Sequence, residues 1–242
     1  MVASFATEMS SVDPLVRPAA SRHLWVAVRV EREKGQVVPH DASRILTEVS
    51  NTYGFESTTA VGTHAIMLPL PEPVEGYLPT LRRLGHRALA DLEARIDLGC
   101  WIGLGGVRET SEALAASSAE ALEGINIARR IWPQPRAVLY GDVLPFVALA
   151  ADRATCTRMA RVLVPIERYD RRRRTSLQQT LDCLSDQNWS VAATARAMRI
   201  HRHTVEYRLK SVEDLLCISL NDPYHRATIE FALVARRLLR PR

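Results

Sequence analysis

Six side chains that donate hydrogen bonds cluster near the C-terminal end of the chain, and they are of the types that bind nucleic acids. Arginine and lysine bind guanine edges and phosphates, and hydroxyl groups contact bases or phosphates. The run 202–210 carries Arg202, His203, Thr204, Tyr207, Arg208 and Lys210. The chemistry that this cluster predicts is recognition of nucleic acid through hydrogen bonds and charge.

Two short helices joined by a tight turn are predicted to position these residues. The segment Ser190–Met198 is rich in alanine, which allows two helices to approach closely, and Ser190 suits an N-cap. The segment that follows places its apolar residues along one helical face: Ile200, Val205, Leu209, Val212 and Leu216. This arrangement is typical of a helix-turn-helix, whose second helix enters the DNA major groove.

The position of each residue on the predicted recognition helix indicates which part of the DNA it contacts. Arg202 and His203 lie at its N-terminal end, where side chains reach base edges. Arg208 and Lys210 are expected to hold the DNA backbone. Thr204 contacts a base or a phosphate, and Tyr207 either lays its hydroxyl on a phosphate or packs into the core. Ser190 completes the expected DNA-binding set as the cap of the first helix.

The last seventy or so residues resemble the C-terminal helix-turn-helix domain of PucR/CdaR-type bacterial transcriptional regulators. Several ordered motifs carry the resemblance: Leu177–Leu181, Ser190–Met198, Ile200–Val205, Tyr207–Leu209, Leu220–Pro223 and the apolar helix through Phe231 and Leu238. The resemblance implies a sequence-specific regulator that binds double-stranded DNA.

The charge of the chain is concentrated in the same region. From residue 171 onward there are 14 Lys and Arg residues against 7 Asp and Glu residues, a net charge of +7. The rest of the chain has a net charge of −2. A basic domain beside a slightly acidic one is the pattern of a nucleic-acid-binding module with a separate partner domain.

The preceding region predicts a different fold. Its apolar patterns give the order strand, helix, strand, strand, helix, strand, helix, strand. We therefore expect an α+β protein, in which a ferredoxin-like α+β sandwich with a mainly antiparallel sheet is followed by an all-α helix-turn-helix domain. The family resemblance implies that this sandwich is GGDEF-like. The expected divisions are a flexible N-terminal arm (1–22), a degenerate GGDEF-like domain (23–141), connecting helices (142–170) and the DNA-binding domain (171–242). Pro165 and the run Arg171–Arg174 are expected to mark the last boundary. The arginine run either touches DNA or is a solvated linker.

The middle region is similar to the GGDEF-like domain that precedes the helix-turn-helix in this family. Active diguanylate cyclases carry an acidic Gly-Gly-Asp-Glu-Phe turn, whereas the corresponding hairpin here reads Gly62-Thr63-His64-Ala65. The first strand, Val28-Arg29-Val30-Glu31, lacks the aspartate that holds metal in such cyclases. We therefore expect no catalytic residues, metal or cofactor, and a regulatory or dimerisation role for this domain.

The remaining features of the sequence concern the cellular compartment, the partners and the alternative functions. Four scattered cysteines without a Cys-x-x-Cys pair favour reduced thiols in a bacterial cytoplasm. No apolar run is long enough to span a bilayer. The expected partners are double-stranded DNA, further copies of the chain in a homodimer or larger oligomer, and a small-molecule effector of unknown identity. Two alternatives stay open: a nucleotide-handling enzyme on the GGDEF-like domain, and an adaptor that binds a metabolite or protein. Gly103–Gly106 follows a predicted strand as a phosphate-cradling loop would, but it lacks the full dinucleotide or Walker spacing, so a turn at the strand end is the preferred interpretation.

Overall fold

The computed structural model describes residues 23–32, 40–60, 63–69, 74–96 and 99–240. Its contacts divide the chain into two compact units between residues 147 and 148. The arm expected over residues 1–22 and the turn residue Gly62 lie outside the described residues. Among the described helices, none is both long and apolar enough to cross a membrane.

The first unit contains a mixed sheet in the order β2-β3-β1-β4-β5. Its elements follow the predicted order: β1 (His23–Arg32), α1 (His40–Thr52), β2 (Glu56–Ala60), β3 (Thr63–Pro69), α2 (Val74–Ile96), β4 (Cys100–Leu104), α3 (Leu114–Ile131) and β5 (Ala137–Leu139). The pairs β2–β3, β3–β1 and β1–β4 are antiparallel, whereas β4–β5 is parallel. The expectation of an α+β protein with a mainly antiparallel sheet is confirmed.

Alternation along β1 explains why helices cover both faces of this sheet. Val26, Val28 and Val30 are buried in a core formed with α1 and α2. Residues of the opposite register, such as Ala27, face α3, where the Ser117 hydroxyl accepts a hydrogen bond from the Ala27 backbone nitrogen at 2.9 Å. Each strand therefore contributes to two packed layers.

Gly103, within β4, and Gly105, just after it, serve this packing. A Cβ atom on Gly103 would lie 2.2 Å from the Ala121 carbonyl oxygen of α3, and one on Gly105 would lie 1.9 Å from the Ser117 carbonyl oxygen. Only glycine permits so close an approach between strand and helix. Gly103 and Gly105 are therefore packing residues.

The second unit is helical. After α4 (Tyr140–Ala151), which crosses the division, it contains α5 (Arg153–Ala160), a 3-10 turn (Arg161–Leu163), α6 (Val164–Arg173), α7 (Leu177–Asp186), α8 (Val191–Met198), α9 (Arg202–Leu216) and α10 (Pro223–Leu239). Its core combines residues from the 3-10 turn, α6, α7, α9 and α10 and the loop before α10: Leu163, Ile166, Leu177, Leu181, Val212, Leu220, Ile229, Ala232 and Leu233. Segments given above as connecting helices thus contribute two fully buried side chains, Leu163 and Ile166, to the core of this unit.

The arginine run lies in a helix, unlike the linker considered from the sequence. Pro165 occupies the first turn of α6, Arg171–Arg173 form its last turn, and Arg174 ends it with a left-handed φ of 54°. Asp170 explains the abrupt turn, because its carboxylate accepts hydrogen bonds from the backbone nitrogens of Leu177 and Gln178, both at 2.9 Å. The side chain of one helix thus caps the next, and no free linker separates them.

Candidate nucleic-acid interface

The predicted pair of helices is present as α8 and α9, joined by residues 199–201. The Ser190 hydroxyl caps α8 by accepting a hydrogen bond from the Ala193 backbone nitrogen at 3.2 Å. Arg199, with a φ of 54°, ends α8. His201 then caps α9, since its Nδ1 accepts a hydrogen bond from the His203 backbone nitrogen at 3.3 Å. The turn therefore has a defined geometry and fixes where α9 begins.

The apolar side of α9 is buried as its spacing predicts. Val205 and Val212 are fully buried, and Leu209 and Leu216 pack against the same core. Thr194 and Ala195 of α8 are also buried. Small residues on α8 thus let the two helices lie close together, and the opposite side of α9 remains accessible to solvent.

Five of the seven predicted binding residues form a single exposed surface on α9, which we call the recognition surface: Arg202, His203, Thr204, Tyr207 and Lys210. At 100° per residue, His203, Tyr207 and Lys210 lie near its centre. Tyr207 is 75% exposed, so it is a surface residue and not part of the core. Ser190 is exposed at the start of α8.

Arg208 lies at the edge of α9 and turns toward α7. Its Nη1 donates a hydrogen bond to the Thr180 Oγ1 at 3.1 Å, and the residue is half-buried. Thr180 is itself fully buried. The structure therefore does not bring Arg208 into the recognition surface, where sequence reasoning placed it among residues that hold the DNA backbone.

Glu206 also belongs to this surface, although the sequence analysis does not predict it as a site residue. One of its carboxylate oxygens accepts a hydrogen bond from Arg202 Nε at 2.8 Å, and the other lies 2.9 Å from His203 Nδ1. The hydrogen bonds from His203 and Arg202 hold the pKa of the Glu206 carboxyl below its usual value. The spacing of Glu206 from Arg202 and His203 indicates these contacts, because residues three and four apart on a helix are neighbours.

The start of α8 is held by a small polar network. Trp189 has an unusual positive φ of 61° for a bulky residue. Its indole nitrogen donates to Glu230 of α10 at 3.1 Å, and the Arg226 guanidinium lies 5.1 Å from the ring centre. These contacts hold the strained residue next to Ser190, which positions the N-terminus of α8.

The first unit offers no comparable site in its described residues. They contain no group of three or more His, Cys, Asp or Glu residues placed to hold a metal ion. Glu31, the carboxylate of the first strand, is buried and lies 3.0 Å from Arg129 Nη1. His64, in β3, is buried, and burial lowers its pKa to about 4.

Comparison with known proteins agrees with this geometry. Residues 177–235 match the family described as the PucR C-terminal helix-turn-helix domain. An uncharacterized protein of Mycobacterium tuberculosis (strain ATCC 25618 / H37Rv) is 32% identical over 99 residues, which cover 40% of this chain and 23% of that protein. The purine catabolism regulatory protein of Bacillus subtilis (strain 168) is 38% identical over 64 residues, 26% of this chain and 12% of that protein. The matches thus span less than a quarter of these relatives.

A solved structure, a regulator of polyketide synthase expression from Bifidobacterium adolescentis, aligns with 99% of this chain and 92% of its own. Its sequence identity is 15% and its TM-score 0.38, which is too low to establish a common fold. The family assignment rests on the C-terminal match. Residues 177–235 are a PucR C-terminal helix-turn-helix domain.

Proposed function

We propose that this chain is a sequence-specific transcriptional regulator that places α9 in the major groove of double-stranded DNA. The observation that carries the proposal is the recognition surface itself. Five polar residues are exposed together on the second helix of a helix-turn-helix, while the apolar residues of the same helix are buried. The net charge of +7 from residue 171 onward supports attraction to the phosphate backbone.

Within this proposal, different residues of the recognition surface contact bases and phosphates. Arg202 and His203 contact base edges because they lie in the first turn of α9, which approaches the groove floor most closely. Tyr207 and Lys210 lie further along the exposed side and contact phosphates, and Thr204 contacts a base or phosphate beside them. Ser190 and the N-terminus of α8 approach the backbone, where a helix N-terminus favours an anion.

The active form in this proposal is a homodimer, with the first unit serving as a non-catalytic GGDEF-like regulatory or dimerisation domain. A single recognition helix covers little DNA, and two copies contact half-sites about one helical turn apart. The similarity to the purine catabolism regulatory protein of Bacillus subtilis supports a role in gene regulation. The proposed setting is the bacterial cytoplasm.

The test is selection of bound duplexes from a random pool by the whole chain, followed by measurement of affinity across a salt series. We expect an enriched inverted repeat whose half-sites are about 10 base pairs apart. If each site neutralises roughly 4–6 phosphates, log K against log salt falls with a slope of about −4 to −5. Recovery of no enriched sequence, or binding that does not change with salt, would overturn the proposal.

A further inference from the structure

We propose that Glu206 is a specificity-determining residue of the recognition surface, which restricts Arg202 to guanine and weakens binding to DNA of other sequences. This inference rests on the proposed function. Glu206 is the acidic residue of the first two turns of α9, and it lies among the groups expected to contact DNA. Its carboxylate is oriented by two neighbours, Arg202 and His203.

The contact with Arg202 leaves one edge of the guanidinium available. Glu206 accepts from Nε at 2.8 Å, whereas the two terminal nitrogens, with their four N–H groups, are not the donors in this contact. A guanidinium held at Nε projects its terminal edge, which matches the O6 and N7 acceptors of guanine. Because the Arg202 side chain is 68% exposed, it needs this support to keep one orientation before DNA binds.

The negative charge of Glu206 also affects how the recognition surface binds the DNA. A carboxylate beside Arg202 and His203 offsets the attraction of these side chains to phosphates, which are present in every sequence. It can also accept a hydrogen bond from cytosine N4, which only certain sequences place within reach. Glu206 therefore penalises DNA of the wrong sequence more than DNA that offers guanine to Arg202.

Two variants of the whole chain separate the charge of Glu206 from its hydrogen bond. Glu206→Gln keeps an oxygen that can accept from Arg202 Nε but removes the charge, and Glu206→Ala removes both. The matched control is Asp214→Asn, which removes one exposed carboxylate two turns further along α9, where it lies 3.4 Å from Lys210 Nζ. Equal circular dichroism and thermal unfolding check that each exposed substitution leaves the fold intact.

The measurement is the affinity of each variant for the selected duplex and for a scrambled duplex of equal length. We expect Glu206→Gln to bind the scrambled duplex about three- to tenfold more tightly and to lose at least about threefold in the ratio of specific to scrambled binding. Glu206→Ala loses more of this ratio, and repeated selection with it enriches guanine less strongly at the base that Arg202 contacts. Asp214→Asn strengthens binding to both duplexes alike.

The outcomes separate this inference from the function on which it rests. If the native chain prefers a sequence but both Glu206 variants keep its specificity ratio and its enriched guanine, Glu206 is not a specificity determinant and the proposed function stands. An equal loss of ratio in Asp214→Asn would assign the effect to general charge and would also overturn the inference. A native chain without sequence preference overturns both proposals.

Discussion

Arg208 of α9 donates from Nη1 to the buried Thr180 Oγ1 of α7, at 3.1 Å. The Thr180 hydroxyl in turn donates to the Ser176 carbonyl oxygen one turn earlier, at 2.8 Å. This chain of hydrogen bonds joins the helix that carries the recognition surface to the helix beneath it. The orientation of α9 therefore depends on a polar contact as well as on its apolar face.

Replacing Thr180 with valine tests this link. Thr180→Val keeps the shape of the side chain but leaves the half-buried Arg208 guanidinium without this acceptor, so we expect the free energy of unfolding to fall by about 1 kcal/mol. Urea unfolding of the native and variant chains measures the change. Thr228→Val, an exposed threonine on α10 whose hydroxyl bonds only to its own helix, is the control and should have little effect. Equal midpoints for Thr180→Val and the native chain would show that the contact adds nothing.

Arg202 and Lys210 are expected to differ in what they contribute to binding. Arg202→Ala removes a base contact and should cost about 1–3 kcal/mol on the selected duplex while relaxing preference at one position. Lys210→Ala removes a phosphate contact, so it should weaken binding to all duplexes alike and reduce the salt slope by about 1. Affinities on matched and scrambled duplexes over a salt series measure both. Exchange of the two behaviours would mean that α9 enters the groove with a different rotation.

His64 makes the stability of the first unit depend on pH. Burial lowers its pKa from 6.5 to about 4, so between these values the unfolded chain binds a proton that the folded unit excludes. The contribution is fully present above pH 6.5 and is lost as pH falls toward 4. Acidification from pH 7 to pH 5 should therefore lower the free energy of unfolding by about 2 kcal/mol through this residue.

Two histidine variants isolate this effect. His64→Leu should flatten the dependence of unfolding free energy on pH across this range, since no proton is then excluded from the folded unit. The exposed His86 on α2 serves as the control, and His86→Gln should leave the slope unchanged. Equal slopes for His64→Leu and the native chain would show that another group causes the acid sensitivity.

The elements that local sequence patterns control were predicted well. The burial of Val205 and Val212 follows from their helical spacing, and the Ser190 hydroxyl caps α8 as its residue type predicts. The sheet follows from alternation along β1 and from the order of strands and helices. In these segments the secondary structure and burial that each residue favours locally agree with its environment in the fold.

Other features depend on contacts between distant residues, and the sequence did not reveal them. Arg208 has the charge of a DNA-binding residue, but the packing of α9 against α7 directs it to Thr180. The arginine run has the composition of a solvated linker. However, Asp170 caps the next helix, so that α6 ends next to the start of α7. Glu206 differs from these, because its spacing from Arg202 made the ion pair predictable.

The extent of the C-terminal unit can be tested with two fragments. Residues 148–242 contain the full core described for this unit, whereas residues 171–242 lack Leu163 and Ile166, which are both fully buried. The shorter fragment also lacks Cys156, whose Sγ lies 3.4 Å from the Ala235 carbonyl oxygen on α10, and the Asp170 carboxylate that caps α7. These residues belong to α5, α6 and the turn between them. Among them, Leu163 and Ile166 share the apolar core with residues of α7 and α10.

We expect the fragment 148–242 to unfold cooperatively and 171–242 to be far less stable. Burying each of Leu163 and Ile166 contributes about 1.5–3 kcal/mol, and a small domain has only about 5–15 kcal/mol in total. Circular dichroism during urea unfolding measures both fragments. The double variant Leu163→Ala, Ile166→Ala in the longer fragment is the control, since it removes the same side chains without shortening the chain. Equal midpoints for the two fragments would show that α5 and α6 are dispensable, and that the helix-turn-helix folds on α7 and α10 alone.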